Sequence, residues 1–315
     1  MSLKLDDTPW LAIVNPASGR QGSRRQWPAI ERAIRIAGVA VEAVHTVRPG
    51  EGESLARRAV VEGRRQLLVA GGDGSAHEVV NGVMSAGLAD TRTVTLAVAP
   101  TGTGNDWARS LGVGRRAADI AAVLAAGRTM LHDVGVIEHP GATPPQRRHF
   151  INVAGAGYDA WVTSRVPRPV PSALTYLRIA LGGLASFRSP LFRIRSGEAA
   201  LDGRLLLAFV AIGQYCGNRM HVAPRARPDD GRFDVVAIRE VGLLTALGKL
   251  AKLYRGTLAG DRLVHEVQCT RLRIETDPPA AVEADGQVVG RTPVTVSLLP
   301  NALRVLRGPG PAADA

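Results

Sequence analysis

The chain has 315 residues, enough for about two domains, and its 45% hydrophobic but only 4% aromatic content predicts mainly aliphatic cores. Its net charge of +11 is carried almost entirely by arginine and favours anionic partners, although a general arginine bias accounts for it as well. The two cysteines, Cys216 and Cys269, have no second cysteine or histidine at metal-ligand spacing, which argues against a cysteine-based metal site or a disulfide framework. The opening MSLKLDDTPW has no apolar signal core, and the longest apolar run, 205–213, is shorter than the ~20 residues that a membrane span needs. We therefore expect a cytoplasmic protein whose contact with a membrane, if any, is peripheral.

The first 135 residues alternate between strand and helix patterns. The predicted strands are WLAIVNP, VAVEAVHTV, RQLLVAGG and VTLAVAP. Between and after them, the predicted helices are RRQWPAIERAIRIAG, GESLARRAVVEG, SAHEVVNGVMSAG, NDWARSLG and AADIAAVLAAG. This alternation predicts an α/β domain with a parallel sheet covered on both faces.

After Asp133 the pattern changes to closely spaced strands. These are DVGVIE, RHFINVAGAG, LFRIRS, RLLLAFVAIG, RFDVVAIRE, VHEVQCTRLRIET and VTVSLL, with only SALTYLRIALGGLASF and GLLTALGKLAKLYRG predicted as helices. A second, mainly antiparallel and sandwich-like β-rich domain is expected. PPQRR is predicted as a loop within it, and GPGPAADA as a disordered tail.

Three polar turns follow predicted strands of the first domain: Asn15–Gly19, Gly71–Ser75 and 100–106. Ligands of open parallel sheets bind beyond the carboxyl ends of the strands, and glycines let the backbone approach them. A helix that begins near Ser75 adds a positive dipole end suited to phosphate. A carboxylate there would repel phosphate unless a metal lay between them, so Asp73 is predicted to hold Mg²⁺.

Two nucleotide-binding motifs fit poorly. The chain has no G-x-x-x-x-G-K-[ST] sequence, so it is not a P-loop protein. GAGYDA matches G-x-G-x-x-A, but the next acidic residue is Glu198, much farther than the ~20 residues of a dinucleotide fingerprint.

The combination of motifs resembles the diacylglycerol kinase catalytic-domain family, which includes sphingosine and ceramide kinases and bacterial soluble lipid kinases. The resemblance rests on VNPASG, GGDGSAHEVVNG, PTGTGNDWARSLG, GAGYDA, PDDGRFDVVAI and VEADGQ, in the family's order along nearly the whole chain. GGDG alone is shared with NAD kinases and 6-phosphofructokinases. The resemblance implies a nucleotide domain over 1–134, completed by a returning strand at 300–308, then a lipid domain over 135–299 and a tail at 309–315.

The resemblance also implies phosphoryl transfer from ATP to a lipid hydroxyl, with Mg²⁺ and with Asp73 in the catalytic centre. The residues that the turns and the resemblance assign to nucleotide and metal are Asn15, Ser18, Gly19, Thr46, Gly71, Gly72, Asp73, Gly74, Ser75, Glu78, Thr103 and Asn105. Glu78 is expected to reach the ribose or to orient Asp73, or else to be an exposed helix carboxylate.

A second Mg²⁺ site is implied at RPDDGRFD. One aspartate side chain and two backbone carbonyls hold this metal in bacterial members, which corresponds to Asp230 with Arg227 and Arg232. A type I turn capped by aspartate is the alternative.

The general base is expected near Asp285-Gly286-Gln287, where the family has D-G-E. Glutamine cannot accept the hydroxyl proton, so Asp285 is the preferred base, with Glu283 as an alternative. Asp285-Gly286 is also a common hairpin turn, which is the structural alternative.

The lipid is expected to enter at a stretch without acidic residues, 161–197. It carries Arg165, Arg168, Arg178, Arg188, Arg193 and Arg195 among apolar residues, as suits an anionic membrane surface, although a packed helix with a solvated arginine face is the alternative. Asp159 is a candidate for the substrate hydroxyl and Arg178 for another substrate contact. Nucleic acid is not expected as a partner, because aromatic residues are few, and a homodimer is compatible with the sequence. Two other functions remain open: an NAD kinase-like phosphotransferase, and a catalytically weak regulatory protein that binds lipid or nucleotide.

Overall fold

The computed structural model describes residues 8–140, 146–167, 173–197, 199–257 and 260–309. The chain divides into two compact units. Unit 1 comprises the described residues up to Asp133 together with those from Asn301 onward, and unit 2 is Val134–Pro300. The predicted tail from 310 onward, Arg168 and the first part of the predicted PPQRR loop lie outside the described residues.

Unit 1 is an α/β domain with a parallel sheet. Its strands are β1 (Trp10–Val14), β2 (Val41–His45), β3 (Gln66–Gly71) and β4 (Thr95–Pro100), and the end of β17 (Val294–Leu306) pairs with β4. The order within the unit is β17-β4-β3-β1-β2, and every pairing is parallel. Strands β3 and β4 are buried at every residue, as expected when helices cover both faces of a sheet.

The helices of unit 1 lie between these strands. They are α1 (Ser18–Ile36), α2 (Glu51–Val61), α3 (Asp73–Met84), α4 (Asp106–Ser110) and α5 (Ala117–Ala126), with a short 3₁₀ helix at Thr91–Thr93. Helices α2 and α3 pack closely: a Cβ on Gly82 of α3 would lie 2.8 Å from the Cβ of Ala56 on α2. The first residues of α1, α3 and α4 come directly after the turns that end β1, β3 and β4.

Unit 2 is β-rich and mainly antiparallel. Its strands are the end of β5 (Thr129–Glu138), β6 (Arg147–Phe150), β7 (Val153–Gly157), β8 (Leu191–Ser196), β9 (Ala200–Ala211), β10 (Tyr215–Cys216), β11 (Met220–His221), β12 (Phe233–Arg239), β13 (Val264–Cys269), β14 (Arg271–Asp277), β15 (Ala281–Ala284), β16 (Gln287–Arg291) and the start of β17. The helices are α6 (Tyr158–Thr163), α7 (Ala173–Ser186) and α8 (Leu243–Arg255). Strand β9 pairs with β8 along its first half and with β7 and β12 along its second half, so it links these two groups of strands.

Two apolar clusters hold unit 2 together. One lies within the sandwich and includes Phe150, Phe192 and Phe233, all completely buried. The other includes Tyr158 of α6, Phe209 of β9 and Leu253 of α8. The predicted α/β domain followed by a β-rich sandwich-like domain is therefore confirmed.

Candidate functional site

The polar turns of unit 1 meet at one edge of its sheet, because parallel strands bring their carboxyl ends to the same side. The backbone N–H of Asn15 donates to the Ala70 carbonyl at 2.9 Å, and that of Thr46 donates to Val14 at 2.9 Å. The N–H of Thr101 donates to the Gly71 carbonyl at 3.0 Å. Hydrogen bonds therefore continue past the ends of β1, β2, β3 and β4 and fix the turns relative to one another.

Asn15 links the first turn to the helix of the second. Its Nδ2 donates to Ser75 Oγ at 3.0 Å, and its Oδ1 accepts the N–H of Ala17 at 3.1 Å. Its carbonyl accepts the N–H of Ser18, the first residue of α1, at 3.1 Å. Asn15, Ser18 and Ser75 thus belong to one connected site, as expected from their positions after neighbouring strands.

Glycines allow the turns to approach more closely than side chains would permit. A Cβ on Gly102 would overlap the Cα of Gly72, and a Cβ on Gly72 would lie 3.1 Å from the Cα of Gly102. Gly19 has a φ of +59°, and a Cβ there would overlap the Thr101 carbonyl. A Cβ on Gly71 would overlap Ser75. The glycines are therefore required for packing of the turns themselves.

Asp73 is the first residue of α3, and its Oδ1 accepts the N–H of Trp107 at 3.0 Å. Asn105 has a φ of +58°, and its side chain closes the next turn by accepting from Gly102 N–H at 2.9 Å and donating to the Gly102 carbonyl at 2.8 Å. Asp106 directly follows Asn105, begins α4 and is only 3% exposed. Its Oδ1 accepts from Arg109 Nη1 at 3.0 Å.

Asp106 is a candidate that the sequence analysis did not single out. The signal was present, because Asn105-Asp106 closes the third turn and Asp73 begins the helix after the second. The bond from Trp107 N–H to Asp73 shows that the starts of α3 and α4 are joined. The site thus has two carboxylates, each at the first residue of a helix.

Several groups at the edge of unit 1 could hold a phosphate or a metal ion. Helix α3 begins without a side-chain cap, leaving its N-terminal dipole directed at the turn. Thr101 Oγ1 is buried and has no hydrogen-bond partner among the described residues. Gly74 is the second residue of α3, the exposed Thr103 lies on the turn after β4, and Thr46, just after β2, is 9% exposed. Carboxylate oxygens such as those of Asp73 are the ligands that Mg²⁺ prefers.

The structure gives Glu78 a different position from either functional role that we expected. Its Oε1 accepts the N–H of Gly50 and its Oε2 the N–H of Gly52, each at 3.0 Å. These donors flank the start of α2, whose N-cap is Gly50. A carboxylate there satisfies free N–H groups and interacts favourably with the helix dipole. Glu78 therefore holds the beginning of α2 in place.

In unit 2, Asp285 and Gly286 form the two-residue turn between β15 and β16. Their φ values of +49° and +78° are those of a tight hairpin turn, and Ala284 pairs with Gln287 across it. Asp285 Oδ2 accepts the N–H of Ile151 at 3.1 Å, and Oδ1 accepts that of Asn152 at 3.0 Å. Asp285 is only 6% exposed. These contacts are those of the structural alternative, in which the carboxylate stabilises a turn.

Asp159 and Glu283 form a buried pair of carboxyl groups in unit 2. Both oxygens of Asp159 are inaccessible to solvent, and Glu283 is 5% exposed. Burial raises the pKa of Asp159 to about 7. Burial first, and then the charge of Asp159, raise the pKa of Glu283 well above its ordinary value. Glu283 Oε2 also accepts the N–H of Gly286 at 2.7 Å. Near neutral pH the pair therefore retains a proton.

The segment proposed for a second metal has the contacts of a turn. Asp230 Oδ1 accepts the N–H of Arg232 at 3.0 Å, and Arg227 lies 3.6 Å from Asp229 in an ion pair. Gly231, which lies between Asp230 and Arg232, has a φ of +72°. Within the described ranges, no three His, Cys, Asp or Glu side chains lie together as a metal site. The contacts of Asp230 are those of the aspartate-capped turn that was the alternative.

The remaining substrate candidate, Arg178, is exposed on α7. Gln287, which belongs to the segment where the general base was expected, is half-buried as the first residue of β16. Among the described helices, none combines the length and apolar character needed to cross a bilayer.

An α/β unit with a glycine-lined, carboxylate-bearing edge, followed by a β sandwich, defines a GGDG-type kinase fold. Residues 9–137 match the model of the diacylglycerol kinase catalytic domain, and residues 152–307 match that of the YegS C-terminal NAD kinase beta sandwich-like domain. The chain belongs to the diacylglycerol kinase catalytic-domain family, as its motifs predicted.

Sequence identity to individual relatives is consistent with this family. The chain is 28% identical to a diacylglycerol kinase of Bacillus subtilis over 284 residues, which cover 89% of this chain and 90% of the relative. It is 25% identical over 304 residues to a probable lipid kinase, YegS-like, of Chromohalobacter salexigens, covering 95% and 92%.

Solved structures show the same fold. A crystal structure of a diacylglycerol kinase from Bacillus anthracis superposes with a TM-score of 0.73 at 22% identity, covering 96% of this chain and 97% of that one. Yeast NADH kinase complexed with NADH superposes with a TM-score of 0.53 at 10% identity, covering 95% and 84%.

Proposed function

We propose that this protein is an ATP- and Mg²⁺-dependent lipid kinase, which transfers the γ-phosphoryl group to the hydroxyl of a membrane lipid such as diacylglycerol. The observation that carries the proposal is the edge of unit 1, where Gly72 and Gly102 are nearly in contact and Asp73 begins α3. The names of the relatives support a lipid as the acceptor. We further propose that the protein acts at the membrane surface from the cytoplasm.

Unit 1 would hold the nucleotide and the metal. Gly72, Gly102 and the uncapped start of α3 provide a backbone cradle for the phosphates, with Asn15 and Ser75 fixing its wall. Asp73 and Asp106 supply carboxylate oxygens for Mg²⁺. When bound, Mg²⁺ neutralises the charge that develops on the transferred group, and this accounts for much of the catalysis in phosphoryl transfer.

Unit 2 would hold the lipid. Asp159 has both carboxylate oxygens inaccessible to solvent, so we assign it no contact with the lipid. Arg178 and the other arginines of 161–197 would face an anionic surface. Because both oxygens of Asp285 accept backbone N–H groups, we propose that the reaction depends on positioning and charge neutralisation more than on a strong base.

The decisive experiment measures transfer of radiolabel from γ-labelled ATP with Mg²⁺ to three acceptors: vesicles of a bacterial lipid extract, diacylglycerol in mixed micelles, and NAD. Labelled lipid is the expected product. Labelled NADP in its place would identify an NAD kinase-like enzyme. Nucleotide binding without labelled product would identify a regulatory protein.

Asp73→Asn is the matched variant for this assay. We expect at least a tenfold loss of turnover with an unchanged thermal midpoint, because the amide cannot neutralise Mg²⁺ yet still accepts the bond from Trp107 N–H. Gln287→Ala, measured in parallel, controls for losses of activity during expression and purification that any variant would share. Turnover above about a tenth of wild type would remove Asp73 from the metal site.

A further inference from the structure

A cavity of about 260 Å³ lies in unit 2, apart from Asp159 and Glu283. Its lining includes the indole of Trp161 and three arginines, Arg165, Arg188 and Arg291. The rest of the lining is proline, alanine and one serine. No carboxylate is found among its described lining residues, so three positive charges surround a small space with an aromatic wall.

The wall is held in place by packing. Trp161 stacks on Tyr158 with ring centroids 5.8 Å apart, and it meets Phe187 edge-on at 5.8 Å. The guanidinium of Arg165 lies 3.7 Å from the centre of the Trp161 ring, and its Nη1 donates to the Trp161 carbonyl at 3.3 Å. An arginine stacked on an indole loses less freedom when it binds a ligand.

Within the described ranges, these arginines keep charges that no ion pair neutralises. Arg291 Nη2 donates to the carbonyl of Pro279, which fixes its direction and leaves its charge intact. Across the part of the chain that the structure describes, none of the three forms an ion pair with a carboxylate. Arg195, by contrast, is paired with Asp202 at 2.8 Å and is not part of the lining. The cavity thus differs from an ordinary arginine-rich surface, where opposite charges alternate.

We propose that this cavity binds a phosphomonoester group. Guanidinium groups match phosphate oxygens in paired hydrogen bonds, and a phosphomonoester carries about −1.5 to −2 charges near pH 7. The indole and prolines provide an apolar wall for the carbon atoms next to the phosphate. The group comes either from a soluble phosphate ester or from a phosphomonoester lipid head group, and the experiment separates these sources.

The binding itself does not depend on the proposed kinase activity. If that activity holds, the lipid product is itself a phosphomonoester, so the cavity would retain product or respond to its accumulation. This consequence rests on the proposed function. The binding experiment and the transfer assay are separate, so failure of one can be distinguished from failure of the other.

Trp161 provides the readout. Of the four tryptophans, Trp10, Trp27 and Trp107 are 3%, 4% and 2% exposed, whereas Trp161 is half-buried and lines the cavity. The wild-type protein would be titrated with glycerol 3-phosphate, with malonate as a dianion that lacks phosphate, and with phosphatidylcholine vesicles with and without phosphatidic acid. Tryptophan emission and its quenching by acrylamide would be followed. We expect saturable protection of Trp161 by glycerol 3-phosphate, by phosphatidic acid vesicles, or by both.

Arg188→Gln and Arg291→Gln test the site, and Arg271→Gln is the control, because Arg271 is exposed on β14 but does not line the cavity. Loss of a charge-assisted hydrogen bond should weaken binding about tenfold in each cavity variant and leave the control within about twofold. Protection by glycerol 3-phosphate shows a soluble ligand, and protection by phosphatidic acid vesicles alone shows a lipid head group. Equal protection by malonate, equal weakening by Arg271→Gln, or no saturable protection would each overturn the proposal.

Discussion

Asp285 and Gln287 lie at the same hairpin but in different surroundings. Asp285 is buried and accepts two backbone N–H groups, whereas Gln287 is half-buried at the start of β16. Removal of the first side chain leaves two buried donors without these acceptors, at a cost of ~1–3 kcal/mol each. Substitutions at these two positions therefore allow a loss of stability to be distinguished from a loss of catalysis.

We expect Asp285→Ala to lower the thermal midpoint by several degrees and to lose activity with it, both because of the lost acceptors and because alanine is strained at a φ of +49°. Gln287→Ala should keep its midpoint, and Gln287→Glu should keep or raise the rate. Calorimetry alongside kcat distinguishes these effects. An Asp285→Ala protein with a normal midpoint but no turnover would restore Asp285 as the general base.

The buried carboxyl pair predicts a dependence of stability on pH. Burial raises the pKa of Asp159 from 3.8 to about 7, so the unfolded chain loses this proton at a lower pH than the folded one. The folded state binds more protons between these values, and stability from this group therefore falls as pH rises from about 4 to about 7. Asp159→Asn removes the titration while keeping the shape.

The measurement is the thermal midpoint of wild type and Asp159→Asn at several pH values. We expect the midpoint of the variant, relative to wild type, to rise as pH increases through this range. Carboxylates with lowered pKa values, such as Asp202 beside Arg195, act in the opposite sense, but they are common to both proteins and cancel in the difference. A difference that does not change with pH would show that Asp159 is not buried as a proton-binding group.

At the level of elements, the close approach of Gly72 and Gly102 joins the turns after β3 and β4. We expect Gly102→Ala to weaken nucleotide binding at least tenfold and to lower the thermal midpoint, because the added methyl overlaps the Gly72 backbone. Gly182→Ala on α7 is the control, since no atom lies within 4 Å of its Cβ position and alanine favours the helix. Nucleotide affinity measured by calorimetry that is unchanged in Gly102→Ala would contradict the cradle.

Sequence patterns located the strands of this fold more reliably than its short helices. LFRIRS corresponds to β8, but VHEVQCTRLRIET is two strands, β13 and β14, divided at Thr270. Alternation of polar and apolar residues continues through such a break, so it does not reveal it. Helix α6, six residues within GAGYDA and the residues after it, is too short for helical periodicity to appear.

The sequence predicted those residues of the candidate site that directly follow a strand. Asn15, Asp73 and Asn105 follow β1, β3 and β4, and parallel strands bring their carboxyl ends to the same edge of a sheet. The partners of Glu78 and Asp285 were not predictable, because Gly50 and Ile151 lie far away in sequence and hold no distinguishing side chain. The sequence pattern of a carboxylate next to a glycine is the same whether the carboxylate binds a metal ion or stabilises a turn.

At the level of the whole molecule, the charge of +11 predicts how the protein meets a bilayer. We expect vesicle binding to rise with the content of anionic lipid and to fall with salt, because surface attraction is screened within ~3 Å at 1 M salt. Sedimentation with vesicles over a salt series measures this, with neutral phosphatidylcholine vesicles as the control. Equal binding at low and high salt would indicate apolar docking.

The last long strand has a consequence for how the protein is made. The edge of β4 is covered by residues 304–305 of β17, whereas its other side pairs with β3. As the ribosome releases the chain from its N-terminus, the sheet of unit 1 keeps an uncovered edge until almost all of unit 2 has been synthesised. Unit 1 can therefore be completed only after unit 2 has been synthesised, although most of its sequence emerges first, and nascent chains halted before this strand would carry an open β edge.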